Sequence, residues 1–298
     1  MRILLTGARG QVGWELARSL MPLGEVIAPG RERCDLARPE TLAALVAELA
    51  PQVIVNAAAY TAVDRAETEE TLAHRVNAEA VGELAVAARR AGALLVHYST
   101  DYVFDGSKAG AYLEDDPVAP LNAYGRGKLA GEQAVAAAGC DYLIFRTTWV
   151  YAARGANFLL TMLRLGAERE ALRVVADQFG APTWARNIAD ASAQAVAQAC
   201  RERAAGNFRS GLFHMAGGGE TSWHGFAEAI FAHARRVLPD RVLKVAEVVP
   251  IGSADYPTPA ARPSNSRLDQ QALAARFGLR LPHWEQALLR CLEELGGR

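Results

Sequence analysis

The chain has 298 residues, 51% of them hydrophobic, and a formal net charge of -1 at pH 7. That is enough apolar material for one large α/β domain or two smaller lobes. Acidic and basic residues are mixed, so no basic block points to nucleic acid, and no run approaches the roughly 20 apolar residues a membrane helix needs.

The four cysteines, Cys34, Cys140, Cys200 and Cys291, are far apart and form no C-x-x-C pair. A disulfide framework or zinc site is therefore not expected, and a reducing cytoplasm is. The start, "MRILLTG", has no h-region and runs straight into a glycine turn, so no secretory signal is expected. The six histidines show no H-E-x-x-H or other ligand spacing, which argues against a catalytic metal.

Residues 2–6, "RILLT", form a short buried-strand pattern, followed by the turn "GARGQVG" and the helical "WELARSLM". "EVIAPG" predicts a second strand, and "RPETLAALVAELA" an amphipathic helix with Pro39 near its start. "QVIVNAAA" predicts a third strand, "AVGELAVAARRAG" a helix closed by Gly92, and "ALLVHYST" a strand ending in small polar residues. "NAYGRGKLAGEQAVAAAG" is the next helix and "DYLIFRTTWVY" the next strand. This alternation predicts a doubly wound parallel sheet of Rossmann type over residues 1–150. Beyond it the rhythm loosens. Helices at "NFLLTMLRLGAERE", "RNIADASAQAVAQAC", "SWHGFAEAIFAHARR" and "WEQALLRCLEEL", a strand and loop at "LRVVADQFGAPTW", a strand at "GLFHMAGG", and a proline-rich loop "DYPTPAARPSNSRLD" predict a smaller substrate-binding lobe over 151–298, interleaved with the sheet.

Gly7, Gly10 and Gly13 give G-x-x-G-x-x-G at the first strand-to-helix junction. Such a turn needs glycine at positive φ, and it brings backbone against a pyrophosphate at a helix N-terminus. A dinucleotide site is the expectation. A ribose-binding acid belongs at the tip of the second strand, but "APGRERCDL" has Gly30 there, followed by Arg31 and Arg33. No acid at the tip and an arginine that can face a 2′-phosphate favour NADPH, with NADH the alternative. The competing explanation is that both arginines are solvated loop charges. Asp35 and Leu36 could meet the adenine. Ala57, Ala58 and Ala59 in "NAAAY" provide a floor of small side chains, or simply tight helix–sheet packing.

Tyr124 and Lys128 are four residues apart on a predicted helix, about 40° apart on one face. A nearby ammonium would lower the phenol pKa from about 10 and help it pass a proton to a carbonyl oxygen as hydride arrives from a nicotinamide. Thr100, at the C-terminal end of a predicted strand, lies on the edge where ligands of parallel sheets bind.

The stretches "LLTGARGQVGWEL", "VIVNAAAYTAVDRAE", "VHYSTDYVFDG", "PLNAYGRGKLAGE", "IFRTTWVY", "DQFGAPT" and "YPTPAARPSNSRLD" resemble the extended short-chain dehydrogenase/reductase family. The resemblance spans nearly the whole chain. It implies reduction of a dTDP-linked 4-keto sugar, with Tyr124 as proton donor, Lys128 on the nicotinamide ribose and Thr100 on the substrate oxygen. Gly10, Gln11 and Val12 would touch the pyrophosphate, Asp35 and Leu36 the adenine, and Ala57, Ala58 and Ala59 the cofactor cleft. Thr100, Asp101 and Trp149 would meet the sugar nucleotide, although Trp149 also reads as a core aromatic. Certain relatives dimerise through a magnesium site of carboxylates. Glu15 matches one position, with Asp190 and Glu293 or Glu294 for the others, against ordinary surface acids. His97, inside an apolar strand, reads as a satisfied core histidine. Arg262 and Asn265 could grip a diphosphate, since arginine suits phosphate, or be solvated. A non-catalytic relative that regulates methionine adenosyltransferase, and a sugar-nucleotide epimerase or dehydratase, are the rival readings. The intact Thr100, Tyr124 and Lys128 set weighs against the first, and the absence of a glutamate beside Thr100 against a dehydratase.

Overall fold

Strands buried on both faces read as unbroken apolar runs, and residues 3–5 and 53–55 are fully enclosed. In the computed structural model, which describes residues 1–297, the first five strands are β1 (Arg2–Thr6), β2 (Glu25–Ile27), β3 (Val53–Asn56), β4 (Leu94–Thr100) and β5 (Asp141–Thr147). A sixth, Gly211–His214, pairs with β5. The order across the sheet is Gly211–His214, β5, β4, β3, β1, β2, and every pair is parallel.

Side chains alternate across each strand, and the sheet buries both faces. On one, Ile3, Leu5, Val53 and Val55 pack against Leu16 of α1 (Gln11–Ser19), Leu20 at its C-terminal cap, and Ile188 and Val196 of the helix Ala185–Ala204. On the other, Leu4, Ile54 and Leu95 pack against α2 (Leu42–Leu49), and further along the chain against Val81 and Leu84. These last two belong to α5, which follows two short helices, α3 (Val63–Ala66) and α4 (Glu70–His74). A π-helical turn, Arg75–Glu79, feeds α5 (Ala80–Ala91), and α6 (Ala123–Ala137) completes this layer. The sequence reading places no helix between residues 63 and 79. That segment is rich in acids and has no apolar period to mark one.

A second core joins Tyr151, Leu163, Phe226, Phe231, Trp284 and Leu288. They come chiefly from the helices Phe158–Glu168, Trp223–Val237 and Trp284–Gly296, next to a parallel pair of strands, Ala171–Val175 and Glu247–Ile251. Strand Gly211–His214 and helix Ala185–Ala204 lie with the large sheet, although the chain reaches them after this second core has begun.

The order reverses at β1, with β2 on one side and β3 on the other. Ligands of open parallel sheets bind at such a switch, beyond the carboxyl ends of the strands.

Candidate active site

The loop after β1 occupies that switch. Gly7 has φ +72°, and a Cβ built on it would fall 2.6 Å from the Ala58 amide nitrogen. One on Gly13 would lie 2.1 Å from the Gly7 carbonyl oxygen. Both contacts are with backbone, which cannot yield, so no side chain fits at either position. The Gly10 amide donates to the Gly7 carbonyl at 2.9 Å. Gly10 caps α1 with no side-chain hydrogen bond and no acid stands in the first turn, so the helix presents its free amides and positive dipole end. This is a cradle that fits a pyrophosphate. Gln11 is held from the other half of the chain, where Asn157 Nδ2 donates to its Oε1 at 2.8 Å. Val12 packs on the sheet core. Ala57, Ala58 and Ala59 are partly exposed beside Gly7.

At the tip of β2 the expectation needs a correction. A Cβ on Gly30 would lie 2.3 Å from Glu32 Oε2. The glycine leaves room for the Glu32 carboxylate to fold back, so an acid does stand near the tip. Arg31 has an 89% exposed side chain and reaches only to 4.0 Å from Asp35. The Asp35 carboxylate accepts from the Ala37 amide at 3.0 Å. Leu36 is buried under the α2 layer.

Thr100, Asp101, Tyr124 and Lys128 come together where β4 meets α6. Asn122 caps α6, its side chain accepting from the Gly125 amide at 2.8 Å. Glycines at 125, 127 and 131 let the helix press onto its neighbours: a Cβ at Gly125 would strike the Tyr102 carbonyl at 2.3 Å, and one at Gly131 the Asn77 carbonyl at 2.2 Å. Asn77, in the π-helical turn, in turn clamps Tyr60, accepting from its amide at 2.9 Å and donating to its carbonyl at 3.0 Å. The Thr100 hydroxyl donates to Asp101 Oδ1 at 3.2 Å and accepts from the Tyr102 amide at 3.2 Å. Burial pushes the Asp101 carboxyl up to about 6 against several hydrogen bonds that hold it down. The Tyr102 and Tyr124 rings meet edge to face at 5.6 Å.

Tyr124 and Lys128 do share a face, but the lysine does not acidify the phenol as spacing alone suggested. Burial holds the Tyr124 hydroxyl above its ordinary value, the Thr100 hydroxyl pulling the other way and Asp101 adding to the rise. Lys128 Nζ instead donates to the Tyr98 carbonyl at 2.6 Å and lies 3.2 Å from His97 Nε2. Burial brings its ammonium down to about 8, with Glu132 opposing the shift. The Glu132 carboxylate is already engaged, since both its oxygens accept from the buried Arg146 guanidinium at 2.8 and 2.7 Å. The phenol therefore stays protonated at neutral pH, which is the state a proton donor needs.

Trp149, just past β5 and with φ +45°, stacks on Trp223 at 3.6 Å and 12°. It is partly exposed, so it is not a fully enclosed core aromatic. Arg262 donates to the Tyr102 hydroxyl at 3.2 Å and to Asp64 Oδ2 at 2.7 Å, which lays the proline-rich loop over Tyr102. Asn265 is used up in tying its loop to the segment after β4, donating to the carbonyls of Lys108 and Gly110 at 2.7 and 2.8 Å. Sequence reasoning missed Tyr102 and Trp223. Tyr102 stands two residues after Thr100 and was within reach, whereas Trp223 carried no signal.

The magnesium expectation finds no support. Glu15 is buried and pairs with Arg186 at 3.0 Å and Arg18 at 3.6 Å. Glu294 pairs with the same Arg186 at 2.9 Å, and Asp190 with Arg18 at 2.7 Å. Arginines already neutralise these acids, so the donor set does not fit a cation. Among the described residues no group of three or more His, Cys, Asp or Glu side chains is placed to hold one.

A glycine cradle at the switch of a parallel sheet, with a partly buried tyrosine and a buried lysine and threonine at its carboxyl edge, is the layout of a dinucleotide-dependent oxidoreductase. More narrowly, residues 1–296 match the model of the RmlD substrate binding domain, and the chain belongs to that family. It is 60% identical to a dTDP-4-dehydrorhamnose reductase of Burkholderia thailandensis, covering 99% of both chains, and 47% identical to the Escherichia coli K12 enzyme of that name, covering 99% of this chain and 98% of that one. Among solved structures, a dTDP-4-dehydrorhamnose reductase of Clostridium acetobutylicum superposes with a TM-score of 0.89 at 36% identity, over 99% of each chain. The Bacillus anthracis enzyme, in complex with NADP, superposes with 0.86 at 36%, over 98% of this chain and 99% of that one.

Proposed function

We propose that the chain reduces the C4 ketone of dTDP-4-dehydro-β-L-rhamnose to dTDP-β-L-rhamnose, the last step in making that sugar nucleotide. Full-length identity of 60% to a reductase of that name carries the reading, and the intact Thr100, Tyr124 and Lys128 set supports it over a regulatory subunit.

The nicotinamide, when bound, supplies the hydride. Tyr124 delivers the proton to the C4 oxygen. Thr100 hydrogen-bonds that oxygen and Asp101 the sugar, while Trp149 walls the sugar nucleotide. Lys128 holds the nicotinamide ribose. Gly7, Gly10, Gln11, Val12 and Gly13 receive the pyrophosphate, and Ala57, Ala58 and Ala59 floor the cleft. Asp35 and Leu36 flank the adenine. Residues 1–150 bind mainly the dinucleotide and 151–298 mainly the dTDP-sugar.

NADPH is the proposed cofactor, with Arg31 toward the 2′-phosphate. A relative at 36% identity is in complex with NADP. Glu32 over Gly30 gives NADH a hold as well. Free thiols at all four cysteines suit a cytoplasmic enzyme. No helix among the described residues is long and apolar enough to cross a membrane. A homodimer is the proposed assembly, checked by light scattering.

The decisive assay follows nicotinamide absorbance with purified protein, the keto sugar and each cofactor in turn. Tyr124→Phe should abolish nearly all turnover and leave cofactor affinity unchanged. A Phe variant with normal turnover removes Tyr124 from the chemistry, and an inactive wild type removes the function.

A further inference from the structure

Strand register places three polar residues side by side at the carboxyl end of the sheet. Thr6 is opposite Asn56, and Asn56 is opposite His97. They share the face that carries Leu4, Ile54 and Leu95, where α6 lies. All three are buried. The Thr6 hydroxyl donates to Asn56 Oδ1 at 2.6 Å, Asn56 Nδ2 lies 3.1 Å from His97 Nδ1, and His97 Nε2 lies 3.2 Å from Lys128 Nζ. At the far end, the Ala58 amide donates to Thr6 Oγ1 at 3.4 Å. An unbroken line of hydrogen bonds therefore runs from the backbone beside Gly7 to the buried amine.

Such a line has only two self-consistent senses. With Lys128 as ammonium, Nζ–H donates to His97 Nε2. The neutral ring then carries its proton on Nδ1, and Asn56 must turn its oxygen to it and its NH2 to Thr6. Only with Lys128 as amine, which gains a lone pair, does the reverse sense open: Thr6 donates to Asn56, Asn56 donates to Nδ1, and Nε2–H donates to the lysine, whose own N–H stays on the Tyr98 carbonyl. Between the two senses one proton leaves to solvent, the imidazole exchanges tautomer and the amide turns over. His97 itself stays neutral, held well below its usual value by burial and by Lys128.

We propose that His97 is a positioning residue for Lys128: it reads the proton state of the lysine and passes it, through Asn56 and Thr6, to the backbone under the dinucleotide. The proposal rests on the reading of Lys128 as the ribose-holding group.

The other charged groups around α6 leave this arrangement to the lysine and histidine. Glu132, on the same helix, is taken by Arg146 of β5. Glu67 accepts from the Ala123 amide at the helix start, and Glu70 pairs with Arg126. Asp101, after β4, acts on Tyr124. The π-helical turn presents neutral Asn77 to Gly127 and Gly131, and α5 meets α6 at Gly82 against Ala134.

Two measurements test this. In wild-type protein with 15N-labelled histidine, long-range 15N–1H spectra report each ring's tautomer, with the His97 signal assigned by its loss in His97→Gln. The expected result is Nδ1–H at pH 6.5 giving way to Nε2–H as pH rises past about 8. One fixed tautomer from about pH 6.5 to about 9.5, or a ring protonated within that range, overturns the proposal. In steady-state kinetics, His97→Phe removes the acceptor for the ammonium, so the alkaline limb of kcat/KM should move down by about one pH unit, roughly a tenfold loss at pH 8.5. His97→Gln keeps an acceptor near Nε2 and should restore the limb. An unmoved limb in a folded His97→Phe protein, or no rescue by Gln, counts against the idea. If His97→Phe does not fold, the wild-type spectra decide. They need no turnover, so the two readings fail separately. A protein without reductase activity whose histidine still switches loses only the function, whereas an active reductase with a fixed tautomer loses only the relay.

Discussion

Two buried cations meet α6 about a turn apart, Lys128 on the helix itself and Arg146 reaching Glu132 from β5, and they are treated in opposite ways. Arg146 faces Glu132 in a two-pronged pair, both side chains about 95% buried, with Phe104 under the guanidinium at 5.0 Å. Its charge is cancelled where it stands. Lys128 is as deeply enclosed, yet it meets only a carbonyl and a neutral imidazole. A charge buried without its opposite costs stability. The fold therefore closes its account at Arg146 and leaves a debt at Lys128, the position proposed to meet the cofactor. Perturbed ionisations gather at working sites for this reason, and the contrast separates a structural cation from a functional one better than burial does.

Breaking the satisfied pair should have the largest effect. Arg146→Met leaves Glu132 charged and alone, so stability should fall by about 3–5 kcal/mol in urea unfolding. A loss under about 1 kcal/mol would erase the distinction. Removing the unsatisfied cation should do the reverse. Lys128→Met should lower kcat/KM at least about 100-fold, roughly 3 kcal/mol, yet raise stability at pH 7 by about 1–2 kcal/mol. The sign with pH follows from its lowered value. Between about 8 and the ordinary 10.5 the unfolded chain binds more protons than the folded one, so the wild type should gain stability with rising pH in that window and the variant should lose the gain.

Asp101 carries a debt of the same kind. Its folded value of about 6 lies above the ordinary 3.8, so the folded state binds the extra proton and stability falls as pH rises through that interval. Asp101→Asn should be more stable than wild type at pH 7 by up to about 2 kcal/mol, and the advantage should vanish below about pH 4. Equal melting temperatures at both pH values would show that the carboxylate is not strained. The smallest effect belongs to an exposed cation. Water screens Arg31, so Arg31→Ala should shift the NADPH to NADH ratio of kcat/KM toward NADH by about tenfold or less, and less again in high salt.

How far these features were legible depends on the distance over which each is encoded. The glycine cradle and the face shared by Tyr124 and Lys128 are local, set by spacing along a few residues, and both were readable. Partner choice is not local. Lys128 lies at helical distance from both Tyr124 and Glu132, but its contacts come from β4, because Arg146 on β5 outcompetes it for the carboxylate. His97 read as a core histidine since its strand is apolar. Its place beside Asn56 and Thr6 is a fact of register among three strands, which no single segment contains. The π-helical turn was invisible for a related reason: it is held by Asn77 reaching back to Tyr60 and by Gly131 admitting the Asn77 carbonyl. At Gly30, the glycine was read as a missing acid, and nothing local signalled that the Glu32 carboxylate would fold back over it.

The stack of Trp149 on Trp223 joins a residue just past β5 to the first residue of a helix in the second core. Indoles this close share their excited states, so the pair is an optical ruler built into the chain. Its near-ultraviolet dichroism would fade if the two residues were drawn apart, giving a label-free signal of their separation that no engineered dye has to supply.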